Sequence, residues 1–312
     1  MPPRDLIEAL LRQAVRAPSS HNTQSWAFEL HADRIGLSAD PARALPENDP
    51  DNRELTISLG CLTMTLRVAA AGAGLGAHLV KTPRFDGRGH LGNLHFGGDP
   101  EAALAPLTRA IATRRTHRGR YEARTLSPDI RDRLTAASSE EGAWLEPILD
   151  PERRTAVASL VGDGDKVQWG NRRWRRELAT WMRPKSVGDG LTLPAAAVPL
   201  ARYLVRHVDL GRVVAAGDRK RAATAPFLAV LGTDANTPSD WLKAGQALQR
   251  LLLVAASLGL QASFLNQPVQ VAPLRPKLQE LCRHKGAAQI LLCLGYPQGE
   301  SPAAPRRPLA EA

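Results

Sequence analysis

The sequence predicts an α+β fold in which helices cover both faces of a mainly antiparallel central sheet, with the whole arrangement duplicated internally. Three observations lead there. A helical pattern is joined by a loop to a hairpin pattern near the start of the chain, a long alanine-rich segment recurs 185 positions later, and both copies end in Gly-Leu before an extended stretch. The chain has 312 residues, 43% of them hydrophobic, enough to enclose a large core.

Leu6, Leu10, Leu11 and Ala14 recur at helical spacing between Asp5 and Arg16. Pro18 stops that run, because the residue before a proline is driven out of the helical region. Trp26, Phe28 and Leu30 then alternate with smaller or polar neighbours, and Ile35 and Leu37 follow an Ala32-Asp33-Arg34 turn, which predicts a hairpin. Leu59 to Ala77 and Ala244 to Ala262 align without a gap. Seven pairs are identical, Gly60/Gly245, Leu66/Leu251 and Gly74/Gly259 among them. Each copy reads as a long buried helix feeding a strand. A fainter echo is Leu126 to Ala137, which repeats the first helix. Ser138 to Trp144 stands where that helix's loop would be, without the Asn and Gln.

Two such halves, about 1–110 and 111–312, would intertwine as one globular unit, with an insertion at about 165–215. Packed about a pseudo-twofold axis, they make within one molecule what a symmetric dimer makes from two chains. One of the two equivalent sites would have lost its ligands.

Composition narrows the function only partly. A formal net charge of +10 suits nucleic acid, anionic lipid or a phosphorylated cofactor. Cys61, Cys282 and Cys293 form no C-x-x-C pair and lie within apolar patterns, so neither zinc, another metal nor a disulfide is expected. The start of the sequence shows no apolar leader, and no run approaches the ~20 residues of a bilayer span. A cytoplasmic location without a membrane partner is the corresponding expectation.

The stretch Ala17 to Trp26 reads as a binding loop. Ser19, Ser20, Asn22 and Gln24, after Pro18, offer hydroxyl and amide groups that both donate and accept, suiting a neutral planar heterocycle and a polyol. His21 reads as a solvent-exposed turn residue, with a proton donor as the alternative. Arg114, Arg115, Thr116 and Arg118 form a basic segment that suits phosphate or nucleic acid equally. From Val167 to Trp181, Trp169, Trp174 and Trp181 stand among four arginines in a basic helix followed by a long loop, which suits a cover over a site, a membrane surface or RNA. No Ser-His-Asp set, carboxylate pair or metal cluster stands out.

The string A-P-S-S-x-N-x-Q-x-W resembles the flavin-contacting loop of the nitroreductase family, with Ser25 where that loop usually has proline. Asp51-x-Arg53-Glu54-x-x-Ile57-Ser58-x-Gly60, followed by the alanine-rich helix, resembles the family's Acg-like branch, in which two nitroreductase-like halves are fused. The likeness runs from about residue 5 to about residue 308.

It implies one FMN per chain, held by Pro18, Ser19, Ser20, Asn22 and Gln24. Arg114, Arg115, Thr116 and Arg118 resemble the family's R-R-S-x-R segment and would hold the flavin phosphate, joined by Arg306 and Arg307 from the tail. Lys220 would act catalytically beside the pyrimidine ring, and Asn266 and Gln267 through their main-chain amides near N5 and O4. The insertion would form a lid. The implied activity is reduction of nitroaromatics, quinones or similar acceptors by NAD(P)H in a ping-pong mechanism. The alternative is a flavin-storing or flavin-sequestering protein. Nucleic acid is not an expected partner, and monomer and homodimer both stay open.

Overall fold

The computed structural model describes residues 2–83 and 85–311. The chain begins with α1 (Arg4–Ala14), the hairpin β1 (Trp26–Leu30) and β2 (Ile35–Ala39), the long helix α2 (Arg53–Gly72), and β3 (Ala77–Lys81) with β4 (His90–Phe96). A short α3 (Thr108–Thr113) leads to α4 (Pro128–Ser139) and β5 (Trp144–Pro147). An excursion follows through α5 (Pro151–Gly170), α6 (Arg172–Thr180), β6 (Met182–Pro184), β7 (Leu191–Leu193), α7 (Val198–His207) and α8 (Gly211–Thr224). The chain then returns as β8 (Phe227–Thr233), α9 (Pro238–Ser257), β9 (Gln261–Phe264), the short helices α10 (Gln267–Gln270) and α11 (Arg275–Glu280), and β10 (Ala287–Gly295).

The antiparallel strands are divided between two four-stranded sheets, ordered β1-β2-β4-β3 and β5-β8-β10-β9. Matched along the chain, the second order is the first. The first sheet draws all its strands from residues 26–96 and the second from residues 144–295, and every pairing in both is antiparallel. The sheets stay apart because α2 and α9 pack on each other between them, each also contacting strands of its own half.

That helix pair is possible because small residues meet at the crossing. A Cβ added to Gly60 would lie 2.3 Å from the Leu242 carbonyl oxygen and 2.8 Å from the Gly245 Cα; one added to Gly245 would lie 2.1 Å from the Ile57 oxygen and 2.8 Å from the Gly60 Cα. Position 60 corresponds to 245 and 57 to 242 under the 185-residue shift, so the contact is reciprocal, as across a twofold axis. Both helices end alike. Gly74 and Gly259 take φ of 73° and 78°, and the N–H groups of Leu75 and Leu260 return 2.9 Å bonds to the carbonyls of Ala70 and Ala255. α2 is long and apolar enough to cross a membrane, yet it is 89% buried inside the protein.

The excursion departs from the pattern read in the sequence. The basic stretch 167–181 is two helices, broken at Asn171, whose side-chain oxygen accepts from the Arg173 N–H at 2.9 Å and caps α6. The expected loop contains two parallel strands, β6 and β7, and α7. Gly217 to Lys220 lies inside α8. Trp169, Trp174, Leu178 and Val205 form a separate small core beneath this region.

Gly60→Ala should cost about 3 kcal/mol in urea unfolding, because backbone obstructs the new methyl on both sides. Gly217→Ala, an exposed helical glycine with open space beside it, should instead gain about 0.5–1 kcal/mol.

Candidate functional site

A cavity of about 1030 Å³ is lined by residues drawn from along the chain, from Arg12 to Arg306. The α1–β1 loop supplies Pro18, Ser19, Ser20, His21 and Asn22; α2 supplies Glu54, Ile57, Ser58 and Cys61; the segment 114–118 and the turn after β9 line the far side. The loop is tightly wound. His21, Asn22 and Gln24 all take positive φ, near 50°, and the Gln24 N–H closes onto Ser19 Oγ at 3.0 Å. The basic segment is laid along β9: the His117 N–H donates to Ala262 O at 2.8 Å, and the Arg115 N–H to Gln261 Oε1 at 2.7 Å.

One end of the cavity is cationic. Arg306 donates to the carbonyls of Val15, Arg16 and Ala17 at 2.6–3.1 Å and to Asn22 Oδ1 at 3.0 Å, using the acceptors left by the end of α1. Arg114 shares the Arg16 carbonyl at 3.2 Å, and its other terminal nitrogen, Nη1, is buried without a partner. Burial, with Arg114, Arg16 and Arg115 crowded around it, pulls Arg306 down to about 9; burial, Arg115 and Arg16 bring Arg114 to about 10. Among the described residues no carboxylate is ion-paired with Arg16, Arg114, Arg115 or Arg306, so an anion would relieve this repulsion.

The opposite end carries carboxylates. Gln267 Nε2 donates to Asp165 Oδ1 at 3.0 Å and to Asp218 Oδ2 at 2.9 Å, and Arg221 pairs with Asp218 at 2.5 Å. Asp165 Oδ2 and Gln267 Oε1 have no partner. Burial and the neighbouring Asp218 push Asp165 up to about 7. In the middle, Glu54 is buried and accepts from Ser20 Oγ at 2.7 Å, Asn48 Nδ2 at 3.3 Å and Gln270 Nε2 at 2.9 Å. His21 lines the wall. It is desolvated to a value of about 4, so it is neutral at physiological pH and its Nδ1 lacks a partner, unlike the exposed turn residue the sequence suggested.

Pro18, Ser19, Ser20, Asn22, Arg114, Arg115, Thr116, Arg118, Asn266, Gln267 and Arg306 all line the cavity. Three residues expected there do not. Lys220 is exposed on α8, where helical rotation turns the next residue, Arg221, inward instead. Gln24 is 1% exposed, its amide spent on Gly188 O at 2.8 Å and the Arg307 N–H at 3.0 Å. Arg307 is itself buried, and its guanidinium binds the carbonyls of Gln24 and Trp26. These last two tie the tail to the loop without facing the cavity. The Asn266 side chain accepts from the Leu291 N–H at 3.0 Å, which fixes the backbone of the turn after β9. Sequence reasoning missed Arg16, Asp165 and Arg221, although Arg16 directly precedes the loop and Arg221 directly follows Lys220.

The excursion lies over the cavity. Trp169, Trp174, Gly190 and Leu191 line it from above. Trp174 Nε1 donates to Asn48 Oδ1 at 2.9 Å, and Glu177 accepts from the N–H groups of Glu47 and Asn48 at 2.8 and 3.0 Å. Asp189, 1% exposed, pairs with Arg43 at 2.7 Å and Arg183 at 2.8 Å. Away from the cavity, beside Gln246 and the α4–β5 turn, Arg67 joins Glu101, Glu141 and Gln246, and Arg250 joins Glu141.

No family model matches the chain. It is 28% identical, over 99% of its length and 91% of the relative's, to Rv3131 of Mycobacterium tuberculosis H37Rv. It is 27% identical to Acg of the same strain, over 98% of this chain and 95% of that one. Both are named as putative NAD(P)H nitroreductases. The likeness carried by the loop and the Asp51–Gly60 motif therefore extends along nearly the whole chain. A crystal structure of oxidized iodotyrosine deiodinase with FMN and 3-iodo-L-tyrosine superimposes with a TM-score of 0.44 and 16% identity, over 65% of this chain and 95% of that one.

A carboxyl group with a folded-state value near 7 against an ordinary 3.8 favours the unfolded state increasingly as pH rises between those values. Asp165→Asn should therefore raise the melting temperature more at pH 8 than at pH 5. Equal gains at both would mean that Asp165 titrates normally.

Proposed function

We propose that this chain, an Acg-like relative of the nitroreductases, is an FMN-dependent oxidoreductase that uses NAD(P)H to reduce electron-poor acceptors such as nitroaromatics and quinones. The observation that carries the proposal is the polarity of the cavity. A crowded cationic end with the unpartnered Arg114 Nη1 suits a phosphate, the neutral hydroxyl and amide wall suits a polyol and a heterocycle, and the volume admits both.

Arg114, Arg115, Thr116, Arg118 and Arg306 would hold the phosphate of FMN. Pro18, Ser19, Ser20 and Asn22 would line its polyol and ring, with Gln267 and Arg221 at the redox end. When bound, the flavin supplies two-electron transfer from nicotinamide to acceptor in ping-pong order. Arg221, in place of Lys220, would set the positive potential at that end. Asp165, its carboxyl pushed up to about 7, would be partly protonated at neutral pH and would deliver a proton to a reduced acceptor. Trp169 and Trp174 would exclude water from above. We also assign residues 1–110 and 111–312 to the two halves and about 165–215 to the lid, and expect a single flavin because Ser138 to Trp144, where the second half would carry its binding loop, lacks the Asn and Gln.

A second reading, a flavin-holding protein with little turnover, is favoured by the lid's fastenings. Asp189 is buried between two arginines, and Gln24 and Trp174 each hold the lid by a hydrogen bond. Nicotinamide must reach the cavity for catalysis, and these contacts oppose its entry.

The purified protein should release one FMN per chain on denaturation, and anaerobic NADPH should bleach the bound flavin. Bleaching by dithionite alone would select the holding function. Arg114→Ala should weaken FMN binding ten- to hundredfold in a fluorescence titration, from about 1.5–3 kcal/mol for a lost charge-assisted contact. Unchanged binding would remove Arg114 from the phosphate site.

A further inference from the structure

The outer surface of the lid carries an apolar patch that nothing in the fold covers. Ten large apolar side chains are prominently exposed among the described residues, and five of them fall between residues 200 and 213: Leu200 (63%), Tyr203 (61%), Leu204 (41%), Val208 (39%) and Val213 (74%). Leu200, Tyr203 and Leu204 stand at i, i+3 and i+4 on one face of α7. The opposite face of the same helix is already buried: Val205 joins the Trp169–Trp174 core, and Val198 is 7% exposed. A surface helix of an ordinary soluble domain would be polar there.

Positive charge adjoins the patch. A groove of about 750 Å³ beside α7 is lined by Arg172, Arg173, Arg175, Arg176, Arg206 and His207, with Glu47 and Glu177. Arg175 is only 6% exposed, and its Nε and Nη1 have no partner. The acidic groups of residues 171–213 are committed elsewhere: Glu177 to the backbone of Glu47 and Asn48, Asp189 to Arg43 and Arg183, and Asp209 to the Gly211 N–H.

We propose that this face of the lid docks on an anionic phospholipid surface. Leucine, valine and tyrosine would enter the headgroup–acyl boundary while the flanking guanidinium groups bind lipid phosphates. A second copy of the chain would bring the same cations against each other. Nucleic acid would leave the aliphatic side chains without a role. The docking is peripheral, in contrast to the expectation of no membrane partner, and it is independent of whether the cavity holds a flavin.

Co-sedimentation of the full chain with vesicles tests it. Vesicles of phosphatidylcholine with phosphatidylglycerol should carry the protein down, those of phosphatidylcholine alone should not, and binding should fall as salt is raised. Arg172→Gln, Arg173→Gln and Arg176→Gln should each weaken partition about fivefold. Leu200→Ser with Tyr203→Ser should weaken it strongly while leaving thermal unfolding unchanged, since both side chains are exposed. No binding to anionic vesicles, or binding indifferent to these variants, overturns the proposal. So does a dimer, seen by light scattering, that the Leu200→Ser/Tyr203→Ser variant dissolves, or RNA binding that needs the arginines alone.

Discussion

Two glycines set the distance on which the rest of the molecule depends. At the crossing of α2 and α9, Gly60 and Gly245 bring backbone against backbone, and each helix is then held close enough to share one core with the sheet on its own side. The cavity is a product of that approach. It forms beside the crossing, where α2 turns Ile57, Ser58 and Cys61 toward Leu248 of α9 and the basic segment lying on β9. A methyl group at either glycine would separate the halves, and with them the loop and the arginines.

Along the cavity the charge changes sign. Arg16, Arg114, Arg115 and Arg306 crowd one end, where burial and then the neighbouring arginines lower the proton affinity of Arg114, Arg115 and Arg306; at the other, burial raises that of Asp165 and Asp218, and Asp218 adds to the rise at Asp165. Among the described residues no carboxylate pairs with the arginines of the cationic end, whereas at the other end Arg221 pairs with Asp218 and Asp165 Oδ2 is left without a partner. On the proposed reading a phosphate would meet complementary cations at the first end, and such fixed charge is the kind of preorganisation that a cofactor site requires.

How much of this could be read from the sequence depended on the range of the interaction. The helix–loop–hairpin at the start, the paired long helices and their glycine ends are local patterns, and the arrangement repeats them with the same strand order. The division into two sheets was not readable, because it follows from contact between helices far apart in the chain. Gln24 and Arg307 were recognised as functional types but misplaced: whether an amide faces a cavity or a backbone carbonyl is settled by the tail and the segment around Gly188 meeting there. Lys220 against Arg221 is a single step of helical rotation, finer than any spacing argument resolves. Asp165 gave no local sign, since its partner Asp218 lies on another helix and Gln267 on a distant turn.

Arg306 reaches back across nearly the whole chain to the carbonyls of Val15, Arg16 and Ala17, and Arg307 to Gln24 and Trp26. The residues that open the binding loop thus leave the ribosome well before those that complete it. A nascent polypeptide can pair its first hairpin early, but the pocket stays unfinished until residues 306–307 have emerged. Capture of a ligand would thereby be deferred until that segment is in place, and its proteolytic removal would undo it without touching either sheet.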